Sequence, residues 1–177
     1  MMVINDKPFK MYLSVDQIST AVSGMAERMN LELKDKSPLF LIVLNGAFMF
    51  ASDLLKKITI DCGLSFVKIS SYEGMSSTNQ VKQLIGLDED IKGRTVVIVE
   101  DIVDTGVTME NLITYLELKE PAAIKIATLL HKPEALQKNI VLDYVGIEVA
   151  NKFLVGYGLD YDGRGRNLQD IYILDKN

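Results

Sequence analysis

The sequence contains few of the side chains that form disulfides or bind zinc. It has one cysteine, Cys62, and one histidine, His131. A single cysteine cannot form a disulfide within the chain, and one cysteine with one histidine does not make a zinc-binding set. We therefore interpret Cys62 as a small buried hydrophobe and His131 as a structural or exposed residue.

Long apolar runs and dense basic clusters are also absent from the sequence. The N-terminal segment MMVINDKPFKMYLS has no apolar stretch long enough for a signal peptide or a membrane span. The net charge is −5, and the lysines and arginines form no run that would follow a phosphate backbone. These features argue against a membrane protein and against a nonspecific nucleic-acid binder. They make the cytoplasm the expected location.

The length and apolar content favour one globular domain. Of the 177 residues, 48% are hydrophobic and 24% are charged, so the chain can bury a sizeable core. The sequence has no internal repeat, low-complexity tract or linker. We expect a single domain over residues 1–177, with a core of about residues 12–135 and a smaller part of about residues 136–177 over the carboxyl edge of the sheet.

Apolar strands alternate with amphipathic helices along most of the chain. Continuous apolar runs predict buried strands at 39–46, 64–70, 95–103 and 123–130. Apolar residues spaced by three and four predict helices within 14–33, at 47–58 and around 109–116, and Ser14 with Gln17 predicts a capping box at the start of the first helix. This alternation predicts a doubly wound α/β domain with a mostly parallel sheet.

Residues 143–174 depart from this pattern. They contain short strand-like pieces and five glycines, at positions 146, 156, 158, 163 and 165, without a helical period. We interpret them as a small subdomain of strands and loops over one edge of the sheet. Because ligands of open α/β sheets bind beyond the carboxyl ends of the strands, such a cap would complete a pocket.

Three carboxylates follow an apolar run in the segment VVIVEDIVDTGVT. Glu100 and Asp101 stand where the run ends, so we expect them to emerge at the ligand-binding edge of the sheet. Residues 104–108 offer backbone amides, hydroxyls and a glycine at the start of a helix, which together make a cradle for an anion. Acids beside such a cradle fit a sugar phosphate, with Mg²⁺ as a bridge. The alternative interpretation is a solvated acidic turn with an Asp or Thr helix cap.

The same segment resembles the phosphoribosyl-pyrophosphate (PRPP) binding motif of the type I phosphoribosyltransferases. Three further segments resemble parts of the hypoxanthine-guanine branch of that family: VLNGAFMFASDLL (43–55) its pyrophosphate loop, SSYEGMSSTNQVKQL (70–84) its mobile loop, and NKFLVGYGLDYDGRGRNL (151–168) its purine hood. The resemblance covers nearly the whole chain from about residue 12. It implies the family fold, with a small hood of C-terminal and N-terminal residues. It also implies purine salvage, in which IMP or GMP and pyrophosphate form from PRPP and hypoxanthine or guanine.

The resemblance further implies roles for the residues around the ribose. Glu100 and Asp101 correspond to the pair that holds the 2′- and 3′-hydroxyls and, with them, Mg²⁺. Asp104 corresponds to the general acid/base near purine N7, a role that fits a carboxylate. The cradle for the 5′-phosphate corresponds to Asp104, Thr105, Gly106, Val107 and Thr108.

Other roles implied by the resemblance concern the base and pyrophosphate. Lys132 would donate to the purine 6-oxo group, Phe153 would stack on the ring, and Leu154 would offer backbone groups to its edge. The remaining residues implied are Asp160, at the purine site and as ligand of a second Mg²⁺; Arg166, Asn45 and Gly46 for pyrophosphate; and Ser71 and Tyr72 for a mobile lid. Asn45 stands where many members have lysine. The family commonly self-associates, so a homodimer or homotetramer is expected.

Two other function classes stay open at this point. A regulatory protein with this fold would sense PRPP without catalysis, and a DNA-binding extension or a basic face would favour it. A Mg²⁺-dependent phosphatase or phosphoacceptor domain would use acids at a strand end, with an attacking aspartate and a distant lysine, but it gives no reason for the cradle. The choice among hypoxanthine, guanine and xanthine is also open, because it depends on backbone positions in the hood.

Overall fold

The structure, a computed structural model, describes residues 1–69, 84–87 and 89–175, so the predicted lid residues Ser71 and Tyr72 lie outside the described part. No helix within these ranges is both long and apolar enough to cross a membrane. The elements in chain order are β1 (Met2–Ile4), β2 (Lys7–Leu13), α1 (Val15–Glu32), β3 (Leu39–Leu44), α2 (Phe48–Leu55), β4 (Gly63–Ile69), β5 (Leu84–Ile85), β6 (Thr95–Val103), α3 (Val107–Glu117), β7 (Ala123–His131), β8 (Tyr144–Glu148), β9 (Leu154–Val155) and β10 (Ile171–Leu174).

The main sheet has six strands in the order β5-β4-β3-β6-β7-β8. Strands β4, β3, β6, β7 and β8 are parallel, and the two-residue β5 pairs antiparallel to β4. In the central strand β3, Phe40 and Ile42 face one hydrophobic cluster while Leu39 and Leu41 face another. A strand buried on both faces is therefore apolar at every position, which explains the continuous run in its sequence.

Helices cover both faces of this sheet. Helices α1 and α2 pack on the face of Phe40 and Ile42, and α3 packs on the opposite face. The predicted capping box is confirmed: Gln17 N donates to Ser14 Oγ at 3.3 Å, and Ser14 N donates to Gln17 Oε1 at 2.9 Å. The prediction of a doubly wound, mostly parallel α/β fold is confirmed as well.

A second sheet, β1-β2-β10-β9, is antiparallel and joins the two ends of the chain. We call this sheet, with residues 149–170, the hood. Its core contains Ile4, Phe9 and Val155. The predicted boundary at residue 136 is wrong, because β8 pairs parallel to β7 and extends the main sheet. A short strand has the same local pattern in either sheet, and only its partner decides where it belongs.

Candidate active site

Glu100 and Asp101 lie within β6 and not beyond its end. The strand continues to Val103, and Glu100 pairs with Thr128 of β7. Glu100 is only 9% exposed. The expectation that the strand ends at these acids is therefore wrong, but both acids line a cavity at the carboxyl edge of the sheet. Hydrogen bonds of a parallel ladder join backbone groups, so the pairing with β7 continues past the two charged side chains to Ile102 and Val103.

The two acids interact with each other, Glu100 as a buried and Asp101 as a partly buried side chain. Burial raises the pKa of Glu100 well above its usual range, and the charge of Asp101 raises it further. Burial also raises the pKa of Asp101, although hydrogen bonds and the nearby Arg166 oppose the change. Asp101 N donates to Glu100 Oε1 at 3.1 Å, and Ile102 N donates to Asp101 Oδ1 at 2.9 Å. Such a pair gains stability from any cation or hydroxyl donor that reaches it.

Residues 104–108, which we call the phosphate cradle after their predicted role, lead from β6 into the first turn of α3. All of them except Val107 line a cavity of about 170 Å³ together with Glu100 and Asp101. The N-cap of α3 is Gly106, with φ of +82°, and a Cβ there would crowd Leu136 and Lys138. Glycine suits this position for both reasons. The first N–H groups of a helix have no partner within it, so those of α3 are available to an anion at this end.

Asp104 contacts a lysine instead of capping the helix. Its Oδ2 lies 2.8 Å from Lys132 Nζ, and the lysine side chain is 9% exposed. Lys132 directly follows β7, and its backbone N donates to Val103 O at 3.0 Å. The interpretation of Asp104 as a helix cap is therefore wrong. Thr105 Oγ1 accepts from Val107 N at 3.4 Å, which is too long for a strong capping hydrogen bond.

A second cavity, of about 220 Å³, joins the edge of the main sheet to the hood. The side chains that line it are Asp101, Ile102, Asp104, Lys132, Phe153, Leu154, Leu159, Asp160 and Arg166. Seven of these nine are residues singled out in the sequence for the ribose, base or pyrophosphate; Ile102 and Leu159 are the others. The structure thus brings residues from β6, β7 and the hood to one place.

Arg166 and Asp160 form a polar cluster on the hood side of this cavity. Arg166 Nη2 lies 2.6 Å from Asp160 Oδ1, and Arg166 Nη1 donates to Gly158 O at 2.7 Å. Asp160 Oδ2 accepts from Gly163 N at 2.7 Å. The guanidinium is therefore held by two acceptors, and its positive charge opposes the rise in the pKa of Asp101 that burial causes.

The predicted pyrophosphate loop, Asn45 and Gly46, lies between the acids and the hood. It follows β3 directly, and the Leu44–Asn45 peptide bond is cis. A Cβ at Gly46 would overlap the Asp101 carboxylate, and a Cβ at Gly158 would overlap the carbonyl oxygen of Gly46. This 45–46 loop is therefore in close contact with both halves of the site.

Comparison with known proteins identifies the family. Residues 10–162 match the phosphoribosyl transferase domain. The chain belongs to this family. It is 37% identical over 174 residues to the hypoxanthine-guanine phosphoribosyltransferase of Aquifex aeolicus, covering 97% of this chain and 98% of the relative. It is 39% identical over 166 residues to that of Bacillus subtilis, covering 93% and 92%. A solved hypoxanthine phosphoribosyltransferase from Staphylococcus aureus matches with a TM-score of 0.85 and 32% identity, covering 94% of this chain and 91% of that one.

The donor set of this phosphoribosyltransferase fits a metal that binds together with a phosphate ligand. Within the part of the chain that the structure describes, no three His, Cys, Asp or Glu side chains are grouped to hold a metal alone. Mg²⁺ usually binds one or two carboxylates and completes its shell with phosphate oxygens and water. Glu100 and Asp101 beside the cradle are oxygen donors of this kind. The site therefore fits Mg²⁺ that arrives with a phosphorylated substrate.

Several residues around the cavity were missed by sequence reasoning. Ile102 lines the cavity from β6, and its position between Asp101 and Asp104 was a usable signal. Phe153 was predicted, but its aromatic neighbours were not. It is 45% exposed, and its ring lies 5.7 Å from Tyr161, edge to face, and 6.3 Å from Phe9. Phe9 gives no such signal, because its contact with Phe153 depends on pairing between the two ends of the chain.

Proposed function

We propose that this phosphoribosyltransferase transfers the phosphoribosyl group of PRPP to hypoxanthine and guanine, forming IMP or GMP and pyrophosphate. The observation that carries the proposal is the cavity that the Asp104–Lys132 pair, Phe153, Asp101 and Arg166 line together. Relatives that share most of their length with this chain bear the name hypoxanthine-guanine phosphoribosyltransferase, which supports the choice of base.

The residues near β6 would bind the sugar phosphate. In this proposal the amides and hydroxyls of the phosphate cradle bind the 5′-phosphate, and Glu100 and Asp101 accept hydrogen bonds from the ribose hydroxyls. These two acids, with Asp160 at a second position, would hold Mg²⁺. The metal would neutralise the charge that develops on the leaving pyrophosphate. Arg166 and the backbone amides of the 45–46 loop would bind the same leaving group.

The residues near β7 and the hood would bind the base. Lys132 would donate to the 6-oxo group, and Phe153 would stack on the ring opposite the Ile102 side of the cavity. Asp104 would accept a proton from the purine as its nitrogen attacks the anomeric carbon. Because Asp104 and Lys132 contact each other in the structure, the base would separate the two groups and take a partner from each.

Three further parts of this proposal concern features outside the site itself. The lid role of Ser71 and Tyr72 stays a prediction, and it would serve to exclude water from the glycosyl cation. A homodimer or homotetramer and a cytoplasmic location also stay predictions. None of the three is needed for the assignment of the base and the sugar phosphate.

A turnover assay with PRPP, Mg²⁺ and a panel of bases tests the proposal. Hypoxanthine and guanine should be substrates. Adenine should be used about 10- to 100-fold less efficiently in kcat/KM, because its 6-amino group offers hydrogen to an ammonium and leaves both unsatisfied. Adenine turnover equal to that of hypoxanthine would contradict the assignment of Lys132. PRPP binding without turnover of any base would favour a sensor, and hydrolysis of a phosphomonoester would favour a phosphatase.

A further inference from the structure

Tyr157 belongs to the hood, but its hydroxyl reaches the main domain. The hydroxyl donates to Asp53 Oδ2, on α2, at 2.7 Å. Tyr157 is 3% exposed, and Asp53 also contacts Lys56 Nζ at 3.1 Å. Tyr157, with φ of +50°, stands between two glycines, and its side chain packs in the hydrophobic cluster that also contains residues of α1 and α2. The contact therefore joins two parts of the molecule that are otherwise separate in the chain.

Both ends of this contact adjoin the 45–46 loop. On one side, α2 begins two residues after Gly46, and Phe48 N donates to Asn45 O at 3.4 Å. On the other side, Gly158 follows Tyr157 and packs so closely on the Gly46 carbonyl that no side chain fits. The loop is thus enclosed between the helix that carries Asp53 and the turn that carries Tyr157.

The same turn also positions the arginine of the cavity. Gly158 O accepts from Arg166 Nη1 at 2.7 Å, and Gly158 N donates to Arg166 O at 2.9 Å. A shift of the 157–158 turn would therefore move both the guanidinium and the 45–46 loop. The phosphate cradle and the Asp104–Lys132 pair, in contrast, are built on β6, α3 and β7.

The protonation states suit a strong hydrogen bond. Burial raises the pKa of Tyr157, and the hydrogen bond to Asp53 adds to this effect. Burial would raise the pKa of Asp53, but hydrogen bonds from Tyr157 and Lys56 and the charges of Lys56 and Lys57 outweigh it, so the pKa lies below its usual value. At neutral pH a neutral phenol therefore donates to a charged carboxylate, which is stronger than a bond between neutral groups.

We propose that Tyr157 and Asp53 are positioning residues for pyrophosphate, whose hydrogen bond holds the 45–46 loop and Arg166 in the arrangement that binds the leaving group. The proposal rests on the proposed function, since it takes that site as the pyrophosphate site. Asn45 and Gly46 carry no charge, so in this proposal the loop binds pyrophosphate through its backbone amides, and its affinity depends on where they lie. A contact that fixes the backbone therefore has a direct effect on affinity.

The test compares two tyrosine-to-phenylalanine variants. Tyr157→Phe removes the hydroxyl that reaches Asp53. The matched control, Tyr144→Phe, removes a hydroxyl that donates to Glu32 Oε2 at 2.9 Å from an equally buried ring at the amino end of β8. Strands β6 and β7 lie between β8 and β3, the strand that leads to the 45–46 loop, so this hydroxyl is lateral to the loop and does not adjoin it. The two variants lose the same kind of bond in different places.

Forward and reverse kinetics give the decisive measurement. For Tyr157→Phe, KM for PRPP and for pyrophosphate should rise about tenfold, while KM for hypoxanthine and for IMP stays within about twofold. Tyr144→Phe should lower Tm without changing any of the four KM values. Unchanged KM for PRPP and pyrophosphate in Tyr157→Phe would overturn the proposal. An equal rise in KM for all four substrates would also overturn it, because a general loosening of the fold would affect them all alike.

Variants of Asp53 repeat the test from the other side. Asp53→Asn keeps an acceptor oxygen for the Tyr157 hydroxyl, so it should bind pyrophosphate more tightly than Asp53→Ala does. If Tyr157→Phe does not fold, the comparison of these two variants tests the same hydrogen bond. The double variant Tyr157→Phe/Asp53→Ala should be no weaker for pyrophosphate than Asp53→Ala alone, and full additivity would count against a shared action. Calorimetry with Mg-PRPP and Mg-pyrophosphate separates the two proposals. A wild type that binds them but does not use hypoxanthine refutes the proposed function, whereas equal affinities of wild type and Tyr157→Phe refute the positioning role.

Discussion

The two halves of the site differ in how far apart in the sequence their residues lie. The acids and the phosphate cradle come from residues 100–108, one continuous stretch that runs from within β6 into the start of α3. The hood, in contrast, pairs β2 with β10, so that Phe9 lies opposite Leu174 near the other end of the chain. The first half is formed by local sequence on a strand, and the second exists only after the termini have met.

The halves also differ in burial. Glu100 is 9% exposed and held within a ladder of the main sheet, whereas the Phe153 ring is 45% exposed at the edge of the hood. A buried group in a ladder has few alternative positions, and an exposed ring depends on its neighbours for its orientation. We therefore expect substitutions near β6 to affect chemistry and PRPP, and substitutions in the hood to affect the base.

The largest expected effect is on the β6 side, at Asp104. Asp104→Asn keeps the size of the side chain and one oxygen for Lys132, but the amide cannot accept a proton. We expect kcat to fall by about 10²-fold or more, while the dissociation constant for PRPP changes much less. Steady-state kinetics together with calorimetry measures both quantities.

A control for this substitution is provided by the surface of α3, the helix that follows Asp104 in the chain. Glu110→Gln on α3 changes a partly exposed acid that pairs with Lys138, and its kcat should stay close to that of the wild type. A fully active Asp104→Asn enzyme would remove the acid/base assignment. Equal losses in kcat and in PRPP affinity would instead assign Asp104 to positioning the ribose.

The contrast between the halves also explains what the sequence allows one to predict. The apolar run at 95–103 and the cradle after it are adjacent in the chain, so their order and contact follow from local pattern. The same pattern was misleading for Glu100, because the ladder with β7 continues through a charged residue. The position of β8 and the packing of Phe9 on Phe153 depend on partners that are far away in the sequence, so no local sequence pattern predicts them.

The next largest effect concerns Glu100, where stability and binding should change in opposite directions. Glu100→Gln keeps the shape of the side chain and removes a buried charge beside Asp101. We expect the dissociation constant for Mg-PRPP to rise about tenfold or more, because a carboxylate that binds metal and hydroxyl groups is lost. The metal-free variant should nevertheless be more stable than the metal-free wild type at neutral pH.

The raised pKa of Glu100 predicts the direction in which the stability difference between wild type and Glu100→Gln changes with pH. The folded-state pKa of Glu100 is raised, so the folded protein binds more protons than the unfolded chain between the usual pKa of glutamate and the raised value. Wild-type stability therefore falls as pH rises through that interval, and the Gln variant lacks this loss. Thermal unfolding in EDTA at about pH 4 and about pH 7.5 should show the variant's advantage only at the higher pH. An advantage of equal size at both pH values would mean that charge burial is not its cause.

The smallest expected effect tests the hood half through a residue that never touches the substrate. Phe9 is fully buried, and its ring lies 6.3 Å from Phe153 and 6.1 Å from Tyr161. Phe9→Leu removes ring atoms from this cluster and should reduce the free energy of unfolding by about 1–2 kcal/mol. KM for hypoxanthine should rise about threefold, because Phe153 loses the neighbour that orients it, while PRPP affinity stays unchanged.

Phe40→Leu is the matched control for this last prediction, because it makes the same change at a fully buried ring in the main sheet. Both variants lose stability, so stability alone cannot distinguish them. Only the hood variant should change KM for hypoxanthine, since Phe40 of β3 packs against α1 and α2, whereas Phe9 packs against Phe153, the ring proposed to stack on the base. An equal rise in KM for hypoxanthine in both variants would mean that the base site responds to general loosening of the domain. A rise confined to Phe9→Leu would show that the N-terminal strand orients Phe153, and with it the base, independently of the cradle.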